Sequence, residues 1–190
     1  MKTSRLEAFS DGVIAVIITI MVLALKVPHS GTLEALRAVI PSLLVYGLSF
    51  AVVAIIWVNH HHVIEKARWA NAALLWSNNL LLFWMSLIPF ATAYLSGNSK
   101  APLAVGVYGL VFVLTCISSL LLQAVLTKQN SNDAAKKREF RLLNGKTVLS
   151  IACYLVSVGM AFVSIYVSYA IFVIIPLTYL WPERKGSVRV

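Results

Sequence analysis

Five polar side chains lie within or beside the first apolar run of the chain: Arg5, Glu7, Ser10, Asp11 and Thr19. A second group, His60, His61 and His62, sits near the end of the second apolar run. A carboxylate facing lipid costs roughly 2.5 kcal/mol or more, so Asp11 is expected to face protein or water. Carboxylates and imidazoles at matching depth can pair, relay protons or attract cations. A hydroxyl such as Thr19 offers lone pairs to an ion. Other chemistry finds little support. No nucleophile is set beside a base, and glycine-rich phosphate loops and cysteine metal pairs are missing, so the chain does not read as an enzyme. Three consecutive histidines point in three directions on a helix and make a poor metal site alone, so neither metal nor cofactor is expected.

The element that must position the first group runs from Leu6 to Leu25, twenty residues or about 30 Å of helix, enough to cross a bilayer. Ser4-Arg-Leu-Glu7 has the form of a capping box, which would place Asp11 two turns inside the helix. The alternative is a later start, with Ser10 or Asp11 as the cap. In the first case Glu7 and Asp11 form a like-charged i,i+4 pair. Arg5 is six residues from Asp11 and badly placed to relieve it, so partners must come from another helix or another subunit. Gly12, Val16, Thr19, Ile20 and Leu23 recur at helical spacing on one face. That periodicity fits a helix-packing face as well as the wall of a lumen.

Hydrophobic residues make up 59% of the 190-residue chain, charged residues 12%, and the mean hydropathy is +0.83. A soluble domain cannot hide that much apolar surface, so the expected class is an all-α polytopic membrane protein without a separate soluble domain. Further apolar runs span about Leu36–Ile64 (with Pro41 early), Ala70–Leu95 and Pro102–Leu126. Thr147 to Trp181 gives thirty-five residues without a charge, too long for one span, and fits two short helices joined near Val163–Tyr169. Gly97-Asn-Ser-Lys100 reads as a turn, and Lys128–Lys146 as a polar, partly helical connection. With no internal repeat, residues 1–190 read as a single unit of six transmembrane helices. The first apolar run lacks a small-residue cleavage site and reads as a retained span. Cys116 and Cys153 lie in apolar runs, where a disulfide is not expected. Trp69, Trp76, Trp84 and Trp181 read as interface or lipid-facing anchors.

With the N-terminus inside, thirteen of the sixteen Lys and Arg residues fall on the cytoplasmic side, and only Lys26, Arg37 and Lys100 lie outside. Six spans also bring both basic termini to the cytoplasm. The net charge of +9 is therefore a topology signal with affinity for anionic membrane lipids, and nucleic acid is not an expected partner. The first helix rises from the cytoplasmic face and the second returns to it, so Asp11 and His60–His62 share a depth. Either a histidine–Asp11–Arg5 network forms there, or the histidines simply sit at the headgroup boundary.

Arg5, Phe9, Ser10 and Asp11, followed by Gly-Val-Ile-Ala and Thr19, closely resemble the first helix of the transmembrane protein 175 family of potassium channels. The likeness extends to Trp57 and to His60-His61 near the end of the second run. It implies that the first helix lines a central pore in a homotetramer, with Val16, Thr19, Ile20 and Leu23 facing the axis. It also implies a structural network of Arg5, Phe9, Ser10, Asp11, Trp57, His60 and His61. Thr-Val-Gly-Tyr-Gly, the filter of ordinary potassium channels, is missing, since Val45-Tyr-Gly47 does not reproduce it, so selection would rest on side chains. The expected function is a potassium-preferring cation channel of the prokaryotic cell membrane, gated at a hydrophobic constriction. The alternatives are a small secondary transporter or proton-linked carrier using Asp11 and His60–His62, and a membrane assembly protein without permeation.

Overall fold

The computed structural model describes residues 3–130 and 134–180. Among these residues seven helices follow one another: α1 (Thr3–Leu23), α2 (Leu33–Ile64), α3 (Ala72–Ser86), α4 (Ile88–Gly97), α5 (Pro102–Gln129), α6 (Ala134–Met160) and α7 (Ile165–Leu180). Helices α1, α2, the α3–α4 pair and α5 are long and apolar enough to cross a membrane. Helix α7 is shorter but also apolar, and it follows the apolar C-terminal half of α6. The protein is an all-helical, polytopic membrane protein.

Several boundaries move from their sequence expectation for identifiable reasons. Helix α2 begins at Leu33, because the Thr32 hydroxyl accepts a hydrogen bond from the Ala35 amide and caps it. Pro41 then falls inside the helix. The third apolar run is two helices, interrupted at Leu87, since Pro89 cannot donate to the preceding turn and sits where a new helix can start. The polar connection after α5 is mostly helix, because α6 runs back to Ala134. The break between α6 and α7 falls at 161–164, slightly ahead of Val163–Tyr169. Trp69 and Trp76 are exposed, as anchors would be, while Trp84 is half-buried. Trp181, Lys2, Arg184, Lys185 and Arg189 lie outside the described residues. Cys116 and Cys153 are free and half-buried.

Helix α5 is the hub, resting on α3, α4, α6 and α7. Gly109 permits its closest approach: a Cβ there would meet Val158 Cγ2 at 2.9 Å, Ser157 Oγ at 3.2 Å and Phe172 Cζ at 3.3 Å. Beside it, Tyr108, Phe112, Tyr154 and Phe172 stack edge-on or tilted across α5, α6 and α7. Helix α1 lies at the edge of this bundle, packed on α2, α3 and α4. Its inner stripe is fully used: Leu6, Ile14, Ile17 and Met21 are at most 3% exposed.

Candidate functional site

Because α1 already starts at Thr3, Ser10 and Asp11 lie two turns inside it and neither is a cap. Ser4 lies in its first turn and Glu7 at the start of its second. Ser10 is buried and donates to the Leu6 carbonyl at 2.9 Å. Its lone pair accepts from Asn78 Nδ2 at 3.0 Å. That orientation leaves Asn78 Oδ1 as an acceptor facing His60 Nε2 at 2.7 Å, so Nε2 carries the hydrogen. One buried amide on α3 thus ties α1 to α2. Asn78 was not singled out from the sequence, although a carboxamide spaced into an apolar run, in Ser77-Asn78-Asn79, was a signal that could have found it.

The two carboxylates of α1 are divided between two partners on α2. Trp57 Nε1 donates to Asp11 Oδ1 at 2.9 Å. His61 Nδ1 meets Glu7 Oε1 at 2.8 Å, an ion pair when the imidazole is protonated. The like-charge strain expected of an i,i+4 carboxylate pair is relieved from the neighbouring helix. The geometry corrects the expected histidine–Asp11–Arg5 arrangement: the imidazole meets Glu7, and Asp11 meets an indole. Arg5 is exposed and makes no ion pair among the described residues. Of the three histidines, His60 is buried while His61 and His62 are exposed.

The outward side of α1 is apolar and open. Val16 is 54% exposed, Ile20 49% and Leu23 81%, against 2% for Ile14 on the opposite side. Thr19 shares this exposed side, and its hydroxyl donates to the Val16 carbonyl at 2.9 Å. With its proton held by the backbone, Oγ1 presents only lone pairs outward, which suits a cation and not an anion. Phe9, Gly12, Val16 and Ile20 border an open groove of about 540 Å³ that continues to Ser86 and Pro89 at the α3–α4 break. Arg5, Gly12, Val16 and Leu23 fall in one line along the helix by their spacing.

Among the described residues, no cluster of three or more His, Cys, Asp or Glu side chains is placed to hold a metal ion. The family model described as endosomal/lysosomal potassium channel TMEM175 matches residues 5–89, the segment from Arg5 through the start of α4. A potassium channel of Chryseobacterium sp. (strain P1-3) is 36% identical over 185 residues, covering 97% of this chain and 96% of the relative. A potassium channel of Chamaesiphon minutus is 32% identical over 178 residues, covering 88% of each. The crystal structure of a lysosomal potassium-selective channel TMEM175 homolog from Chamaesiphon minutus superposes with a TM-score of 0.80 at 29% identity, over 94% of this chain and 96% of that one. With likeness of this degree over nearly its whole length, the chain belongs to the TMEM175 family of ion channels.

Proposed function

We propose that the protein is a potassium-preferring cation channel of the prokaryotic cell membrane, a single unit of six membrane spans, α3 and α4 forming one, that conducts as a homotetramer. Four copies of α1 surround the axis, with Val16, Ile20 and Leu23 forming apolar rings and Thr19 a ring of hydroxyl lone pairs. The observation that carries this reading is the half-exposed apolar side of α1, set against an inner side that is fully packed. A subunit that leaves such a stripe open on its first helix needs lipid or copies of itself to cover it, and closed symmetry supplies the copies. The names of the relatives as potassium channels support the choice of ion.

Narrow rings of Val, Ile and Leu gate by dewetting, which accounts for closure without a moving plug. Selection then falls to side-chain oxygens, of which Thr19 supplies one per copy. Arg5 lies in line with Val16 and Leu23 and makes no ion pair among the described residues, so it is placed to meet a neighbouring copy at the cytoplasmic mouth. The groove between α1 and the α3–α4 break would be closed by the same neighbour. Both termini face the cytoplasm, where basic residues meet anionic headgroups.

The break in the third span favours one competing reading, since carriers place substrate at interrupted helices. Potassium flux into liposomes holding the purified protein separates the two. Discrete single-channel steps are expected. Slow, saturable flux driven by a proton gradient would favour the carrier, and absence of flux would remove both.

A further inference from the structure

Inside one subunit, away from α1, a cavity of about 70 Å³ opens among α2, α3, α5, α6 and α7. Its wall is largely apolar, with Val52, Leu81, Phe112 and Ile175 among the lining residues. Polar side chains interrupt it, and two of these, His60 and Gln123, are set apart by an unsatisfied atom. His60 is 3% exposed and Gln123 5%, and each carries a buried atom without a hydrogen-bond partner among the described residues: Nδ1 of His60 and Oε1 of Gln123.

The hydrogen-bond pattern defines what those atoms need. His60 Nε2 donates to Asn78, so in the neutral ring Nδ1 is an acceptor. Gln123 Nε2 donates to Ser119 Oγ at 3.0 Å and to Thr147 Oγ1 at 3.3 Å, leaving Oε1 as an acceptor. Turning the amide over changes which atom is left, and one still lacks a partner. A buried polar atom without a hydrogen bond costs about 1–3 kcal/mol. Purely apolar cavities stay dry, but one with polar atoms on its wall and room for a molecule fills with water.

We infer that each subunit encloses an internal water site, in which about two water molecules donate to Nδ1 of His60 and Oε1 of Gln123 within the 70 Å³ cavity. The site joins two halves of the bundle. From Ser10 on α1 the chain of hydrogen bonds runs through Asn78 and His60 to the water, then through Gln123 to Thr147 on α6. Because the site lies within one subunit, it stands apart from the reading of α1 as a pore wall.

The test is water-to-protein magnetisation transfer in solid-state NMR of the full chain, reconstituted in lipid bilayers. Transfer to the side-chain nitrogens of His60 and Gln123 is expected to build up nearly as fast as at exposed His62, and severalfold faster than at the buried Leu95 amide. Transfer at His62 alone would overturn the proposal. Gln123→Met conserves volume but removes the acceptor, and it should slow transfer to His60 severalfold while the oligomer mass is unchanged. Should that variant not assemble, Cys116→Leu fills the cavity from another wall and is read the same way. Full-rate transfer at His60 in the assembled variant would also overturn the site.

Discussion

Thr19 shows how much a single side chain can be asked to do in this protein. Its hydroxyl proton is engaged by the Val16 carbonyl, so the outward oxygen is an acceptor only. If four such oxygens stand around the axis, they stabilise a partly dehydrated cation more than the apolar rings can. Thr19→Val keeps the β-branched shape and deletes the oxygen. It should shift the reversal potential in asymmetric potassium and sodium toward equal permeability, and an unshifted value would take Thr19 out of selection. The residue scale was also where the sequence was least complete. Asp11 declares itself, because a carboxylate in an apolar helix must have a partner. Trp57, which supplies that partner, is one of five tryptophans in an oily chain and stands out only by family resemblance. Asn78 carries no charge to mark it, and its role appears only once three helices are brought together.

Among the elements, α1 is held by buried polar contacts beside its packed apolar stripe, and α5 by close packing at Gly109 beside hydrogen bonds such as Gln123 to Thr147. Asn78→Leu preserves approximate volume and leaves His60 Nε2 buried without an acceptor, at a cost of about 1–3 kcal/mol. A lower melting temperature of the purified oligomer is expected, and an unchanged one would mean that His60 finds another acceptor. Gly109→Leu acts differently, forcing new atoms onto Val158, Ser157 and Phe172. Overpacking of this kind costs about 1–3 kcal/mol, so yield and melting temperature of the oligomer should both fall. A variant as stable as the parent would show that α6 and α7 can move away from α5 cheaply. Helix existence was readable from apolar run length, since twenty residues are what a bilayer demands. Helix ends were less so, because they depend on local chemistry: the Thr32 cap lengthened α2, and Pro89 split the third span. The basic stretch ahead of Lys146 reads as a polar, partly helical connection, and helix α6 takes it up from Ala134, since Ala, Lys, Arg and Leu are good helix formers.

For the whole molecule, the central claim is that the open side of α1 becomes the wall of a pore only in the assembly. The assembly should contain four copies of the 20.9 kDa chain by native mass measurement, and a conducting monomer would leave the α1 stripe without partners. The most direct measurement is unitary current across planar bilayers for the parent, Ile20→Asn and Ile18→Asn. Ile20 lies on the exposed stripe, while Ile18 is half-buried and packed against the core. One carboxamide per copy at position 20 supplies water with several partners around a dewetted ring, so conductance or open probability should rise. The same change at position 18 should leave permeation near the parent value. Equal effects at the two positions, or no change at position 20, would contradict the assignment of α1 as the pore wall.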